Sequence, residues 1–126
     1  MLLGESLEDY LETIMVLSEK GDKVRSIDVA KMMGVSKPSV NKAVNNLKDR
    51  GLITQEVYGG ITLTESGRKM GAMIFHRHTT ITRFLIEVLG VSDDVAEKDA
   101  CRIEHIISAE TFTNIEKMIE EKSSES

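Results

Sequence analysis

Ser26-Ile-Asp-Val-Ala-Lys-Met-Met-Gly-Val-Ser-Lys-Pro-Ser-Val-Asn-Lys-Ala-Val-Asn-Asn-Leu47 decides the reading of this chain. Its first eight residues predict a short helix stopped by Gly34. Ser36 then offers a side-chain oxygen to cap a second helix, and Pro38 falls in the first turn, where its missing N–H is harmless. Val40, Ala43, Val44 and Leu47 recur at helical spacing and form the inner stripe of that helix. Gly51 closes it. Downstream, Leu52–Tyr58 and Ile61–Leu63 flank Gly59-Gly60, a hairpin signal. Upstream, Leu7, Tyr10, Leu11, Ile14 and Leu17 predict a helix, with Ser6 as N-cap and Gly21 at its end. Helix, helix, short turn, helix, glycine-tipped hairpin is the order of a winged helix-turn-helix.

In such a module the second paired helix enters the major groove, N-terminal end first. The inner stripe leaves Ser39, Lys42, Asn45 and Asn46 outward, side chains suited to base edges and phosphates. Ser36, Lys37 and the free N–H groups of the first turn suit a phosphate. Arg25, Lys31, Lys37, Lys42, Lys48 and Arg50 supply cationic charge. Lys42 fits a merely solvated position as well. Tyr58, at the tip of the wing, fits a backbone or minor-groove contact, and the glycines beside it fit a simple turn.

The rest of the chain reads as helical. Thr64 caps a long helix to about Glu87 that carries Met70, Ile74, Ile81 and Leu85, and Gly90 breaks it. A fifth helix is expected from about Ser92 to Ser108 and a sixth from about Glu110 to Glu121, with a disordered tail after it. The fold class is therefore mainly α. Residues 1–73 form a winged helix-turn-helix DNA-binding domain, and residues 74–126 an all-helical domain.

Composition bounds what this architecture does. The chain has 126 residues, 40% apolar and 29% charged, with two Tyr, three Phe and no Trp, so its core is aliphatic. A single Cys excludes an internal disulfide framework and points to a reducing, cytoplasmic compartment. No apolar run approaches the ~18 residues of a membrane span, and the first ten residues lack the basic and apolar regions of a signal peptide. The net charge of −5 conceals an asymmetry. Residues 20–77 carry eleven basic and five acidic side chains, whereas residues 78–126 carry five basic and eleven acidic ones. A basic module between acidic flanks fits a polyanion partner.

The acidic part contains chemistry of its own. Glu97, Cys101, Glu104 and His105 fall on one stripe of the expected fifth helix. A thiolate, a carboxylate and an imidazole at this spacing suit one divalent ion. His78 lies at the edge of the apolar face of the long helix, and His76 points nearly the opposite way. Asp9 and Glu12 share a face of the first helix. Each residue also has a plain structural reading: Asp9 as a capping-box partner of Ser6, Glu12 as a surface acid, Cys101 as a small buried apolar group, His78 as a core histidine. Three ligand-rich patches together favour metal.

These residues carry a resemblance. Asp99-Ala-Cys-Arg-Ile-Glu-His105, followed by Ile-Ile-Ser108, resembles the metal-ligand helix of the diphtheria toxin repressor and manganese transport regulator family. Leu7-Glu-Asp-Tyr-Leu-Glu12 resembles its first helix, and Phe75-His-Arg-His78 its long-helix histidine motif. Ser36-Lys-Pro-Ser-Val40 and Leu63-Thr-Glu-Ser-Gly67 resemble the start of the recognition helix and the wing-to-helix junction. The resemblance spans about residues 5–120. It implies a dimeric, metal-activated transcriptional repressor that binds palindromic operator DNA and controls metal-uptake genes.

Carried over by position, Asp9, Glu12, His78, Cys101, Glu104 and His105 are the implied metal ligands. Asp9, Glu12 and His78 match manganese-type members, whereas Cys101 matches the iron type. Thr82 and Glu97 stand where iron-type members have a glutamate and a histidine of a second site, so one or two ions per subunit both fit, with Glu97 as a further ligand. The implied cofactor is Fe²⁺ or Mn²⁺. The thiolate tilts the choice toward Fe²⁺, and other divalent transition metals can substitute. The implied DNA contacts are Arg25, Ser36, Lys37, Pro38, Ser39, Lys42, Asn45, Asn46 and Tyr58. The length fits the shorter, two-domain members without an SH3-like domain. The second domain is then the metal-binding and dimerisation domain, with Val88, Leu89, Val91, Ile106, Ile107, Phe112, Ile115, Met118 and Ile119 expected at a homodimer interface. Two other classes fit parts of the pattern: a metal-independent winged-helix interaction or sensing module, and a metal-dependent hydrolase. No membrane partner is expected.

Overall fold

Ser36 begins the decisive helix as its chemistry dictates: in the computed structural model its Oγ accepts the backbone N–H of Ser39 at 3.3 Å, with Pro38 in the first turn. The structure describes residues 3–21, 23–57 and 60–125. Along the chain these form α1 (Glu5–Ser18), α2 (Ser26–Met33), α3 (Lys37–Asp49), β1 (Ile53–Gln55), β2 (Ile61–Leu63), α4 (Glu65–Glu87), α5 (Asp93–Ile103) and α6 (Ala109–Glu125). Two compact units result, Met1–Met73 and Ile74–Ser126.

In the first unit, Val40, Ala43, Val44 and Leu47 of α3 are all buried, with Leu11 and Ile14 of α1 and Val29 of α2. The end of α3 is closed twice. Leu52 donates its N–H to the carbonyl of Leu47, and Gly51 donates to Lys48. The chain reverses at Gly51, whose φ of 76° suits a residue without Cβ. β1 and β2 pair antiparallel, Ile53 opposite Leu63 and Gln55 opposite Ile61, and Ile61 also bridges Val24.

The first strand is shorter than the expected Leu52–Tyr58. Leu52 spends its N–H on the end of α3 and its carbonyl on the N–H of Thr64. Tyr58 and Gly59 lie outside the described residues. Ser6 is not the cap of α1. The helix starts at Glu5, and Gly4 precedes it at φ 100° and ψ 151°, a conformation that disfavours a side-chain-bearing cap.

In the second unit, Ile81 and Leu85 of α4 bury against Ala96 and Ala100 of α5, and Phe84, Val91, Ile103, Ile107 and Phe112 pack around them. Three expectations are corrected here. The fifth helix ends at Ile103, not Ser108, and residues 104–106 form a turn. Ser108, expected inside it, instead accepts the N–H of Thr111 at 3.1 Å and so starts the next helix. That helix continues to Glu125, because neither Gly nor Pro in residues 121–125 interrupts it, so the expected disordered tail is helical as far as it is described. Of the expected interface residues, Val91, Ile107 and Phe112 serve the core of their own unit and Ile119 is buried, while Leu89, Ile106 and Met118 are exposed. No helix among the described residues is long and apolar enough to cross a membrane.

Candidate metal centre and nucleic-acid interface

The second unit gathers a chain of four titratable side chains. His78, on α4, faces a carboxylate with each ring nitrogen: Nδ1 lies 2.6 Å from Oε2 of Glu104, and Nε2 lies 2.9 Å from Oε1 of Glu97. The other oxygen of Glu104 lies 3.2 Å from Nε2 of His105. Glu104 and His105 are buried, whereas Glu97 is open to solvent. Cys101 is exposed, with Sγ 3.9 Å from Nδ1 of His78.

Two carboxylates on one imidazole favour its charged form. The His78 pKa is pushed up to about 9, first by the hydrogen bond to Glu104 and further by the charges of Glu104 and Glu97, against the opposing effect of burial. The imidazolium donates one N–H to each carboxylate. It is the cation of the cluster when no metal is bound.

The donor set fits a divalent ion. One ligand atom each from His78, Glu97 and Cys101 lies within 4.8 Å of the others, offering imidazole nitrogen, carboxylate oxygen and thiolate sulfur. Glu97, Cys101, Glu104 and His105 were expected on one helix stripe, with His78 on the long helix; only Glu104 and His105 fall past the end of that stripe's helix. Glu97 and Cys101 stand on α5, His78 on α4, and Glu104 and His105 in the turn after α5. His76 lies apart from the cluster, with Nε2 2.9 Å from Glu116 Oε2 and its ring edge-on to Phe112. Thr82 gives its hydroxyl to the carbonyl of His78. Asp9 and Glu12 are half-buried on α1 in the first unit.

Arg77 was missed by sequence reasoning. It is buried, and its Nη1 donates to the backbone carbonyl of Glu104 at 2.8 Å. A basic residue interrupting the Ile74–Ile81–Leu85 stripe was the available signal.

The nucleic-acid candidates of the first unit are on the surface. Arg25, Ser36, Lys37, Pro38, Ser39, Lys42, Asn45 and Asn46 are all exposed. Arg25 gives its backbone N–H to Asp28 Oδ2 at 3.3 Å, and the residue is exposed just before α2. Three candidates are engaged locally: the hydroxyls of Ser36 and Ser39 lie 2.9 Å apart, and Asn46 Oδ1 accepts Arg50 Nε at 3.0 Å. Tyr58 falls outside the described residues.

Residues 2–61 match the family model of the iron-dependent repressor N-terminal DNA-binding domain, and residues 64–124 that of the iron-dependent repressor metal-binding and dimerisation domain. The chain belongs to the iron-dependent repressor family. The resemblance drawn from its motifs is borne out, and so is the fold class. The family consists of transcriptional repressors, not enzymes, which removes the hydrolase reading.

Among its relatives, an uncharacterised HTH-type transcriptional regulator of Methanocaldococcus jannaschii is 33% identical over 119 residues, 94% of this chain and 95% of that one. The transcriptional regulator MntR of Escherichia coli O157:H7 is 38% identical over 108 residues, 86% of this chain and 69% of its own. A solved manganese-dependent transcriptional repressor in complex with manganese aligns with a TM-score of 0.80 at 29% identity, covering 89% of this chain and 51% of that one. The manganese regulator SloR aligns with a TM-score of 0.79 at 28% identity, covering 95% of this chain and 55% of that one. This chain therefore spans about half the length of these two solved structures.

Proposed function

We propose that this iron-dependent repressor family member is a metal-activated transcriptional repressor. As a homodimer loaded with Fe²⁺ or Mn²⁺, it binds palindromic operator DNA and controls metal-uptake genes. The observation that carries the reading is the convergence of His78, Glu97 and Cys101 beside the Glu104–His105 pair. These five side chains are the proposed ligands within the second unit. The resemblance of Leu7–Glu12 to the family's first helix adds Asp9 and Glu12. One or two ions per subunit are accommodated by seven candidate ligands.

A bound divalent ion supplies the positive charge that the His78 imidazolium otherwise provides. The protein's own residues do the remainder. Glu104 and His105 offer buried oxygen and nitrogen donors, and Cys101 offers a softer one that favours Fe²⁺ over Mn²⁺. Deprotonation of His78 and Cys101 accompanies binding, so loading is sensitive to pH. Activation is then a population shift, because metal acts only through its higher affinity for the DNA-binding form.

Ser36, Lys37, Pro38, Ser39, Lys42, Asn45, Asn46, Arg25 and Tyr58 are the proposed DNA contacts. The exposed face of α3 opposite Val40 and Ala43 supports them. Exposed Leu89, Ile106 and Met118 support the two-fold contact. The DNA partner and the single cysteine support a cytoplasmic location. A binding isotherm on palindromic operator DNA, with and without Fe²⁺ or Mn²⁺, tests the proposal. Tight binding only with metal is expected. Operator binding that ignores a chelator overturns it in favour of a metal-independent winged-helix module.

A further inference from the structure

The fifth helix stops at Ile103 with no Gly or Pro to stop it. Ala96, Ala100, Ile103 and Ile107 keep helical spacing, and neither Gly nor Pro occurs between residues 93 and 108. In a continuing helix the carbonyl of Glu104 would accept the N–H of Ser108. That carbonyl instead receives Nη1 of Arg77 at 2.8 Å, in a buried setting. Without this donor, a buried carbonyl at the break would lose its partner. The chain meanwhile tightens, with His105 donating to Arg102 and Ile106 to Ile103, and Ser108 becomes the cap of α6.

Glu104 ends the helix that carries Cys101, its N–H still on the carbonyl of Ala100, and His105 stands in the turn beyond it. Arg77 and His78 are neighbours on α4, and they hold one residue by two atoms: Arg77 its backbone carbonyl, His78 its carboxylate. From this double grip we infer that Arg77 is the positioning residue of the metal centre. Its guanidinium fixes the turn at Glu104 and so sets where the Glu104 and His105 ligands stand. It touches no ion itself. The inference rests on the proposed metal-binding reading of the same cluster.

The test is a Co²⁺ titration of the full-length chain and of Arg77→Met and Arg77→Lys, followed by visible absorption, with folding checked by circular dichroism. Wild type is expected to show a thiolate-to-Co²⁺ charge-transfer band from Cys101. In Arg77→Met that band persists, because Cys101 lies before the break. The d–d envelope changes, and affinity falls about 10- to 100-fold, as is usual for lost outer-shell partners. Arg77→Lys, which retains a donor on a compact head, falls between the two. A purely structural role lowers the melting temperature but leaves the spectrum of the folded protein unchanged. A wild-type affinity and a superimposable d–d envelope in Arg77→Met overturn the inference. If Arg77→Met does not fold, the same comparison with Arg77→Lys decides. A wild-type chain that shows no thiolate band overturns the metal reading itself, and the inference with it.

Discussion

His78 Nδ1 and Glu104 Oε2 stand 2.6 Å apart, on a carboxylate that is 1% exposed. With Glu97 on the other ring nitrogen, this contact raises the His78 pKa from 6.5 to about 9. The folded-state value lies above the unfolded one. The resulting stabilisation is therefore complete below pH 6.5, declines between 6.5 and about 9, and is gone above that. The metal-free chain should lose thermal stability across this window. Glu104→Gln should flatten the dependence and return the histidine toward 6.5. A proton NMR titration of the His78 ring checks both, and a midpoint near 6.5 in the wild type would count against the contact.

Removing the thiolate should weaken activation. Cys101→Ala and Asp9→Ala are each expected to raise the metal concentration needed for operator binding more than about tenfold, or ~1.4 kcal/mol. Cys101→Asp, which substitutes a hard oxygen, should tilt preference toward Mn²⁺ over Fe²⁺. His76→Ala should change the metal response little, because His76 pairs with Glu116 away from the cluster. Fluorescence anisotropy on labelled operator, titrated with each metal, reads all four variants. A response abolished by His76→Ala and kept by Cys101→Ala would relocate the site.

Lys42 is exposed on the recognition helix, one residue before the buried Ala43–Val44 pair. Lys42→Ala should weaken operator binding across sequences and reduce the salt slope by about one if it neutralises a phosphate. Affinities at two or more salt concentrations give the slope. Unchanged affinity at every salt concentration would move the contact surface elsewhere.

Two glycines of α4 should behave differently when changed to alanine. A Cβ on Gly67 would stand 1.9 Å from the carbonyl oxygen of Leu52, which is backbone. A Cβ on Gly71 would meet Met15 Sδ at 2.7 Å, the movable end of a flexible side chain. Gly67→Ala should destabilise by about 2 kcal/mol or more and Gly71→Ala by well under that. Urea denaturation of both variants checks the order, and equal midpoints would contradict it.

What the sequence made legible was local. For α3, cap, proline, stripe and closing glycine all agreed, and the helix runs from Lys37 to Asp49 between them. The wing announced itself by Gly59-Gly60, but its first strand was overread at both ends: Leu52 answers to α3 and Thr64, and pairing with β2 stops at Gln55 opposite Ile61. The residue types that gather around His78 were legible too. Their placement was not, because the end of α5 is a tertiary decision: Arg77, 27 positions away in sequence, takes the Glu104 carbonyl. Ser108 gave a local hint, as a capping residue that the apolar spacing around it outvoted.

Thr64 closes a circuit at the base of the wing. Its hydroxyl donates to the carbonyl of Gly51 at 2.7 Å and accepts the N–H of Gly67 at 3.0 Å, while its N–H reaches the carbonyl of Leu52. The chain thus leaves α3 and enters α4 at almost the same place, and beyond the paired strands the tip between Gln55 and Ile61 is an excursion from a fixed gate. Its length is then nearly free: doubling such a loop costs only about 0.6 kcal/mol of closure entropy. Residues added between Val57 and Gly60 would alter the reach of the wing along a duplex while leaving the helices untouched. With the wing as a proposed DNA contact, its reach along an operator can be lengthened or trimmed without renegotiating the fold.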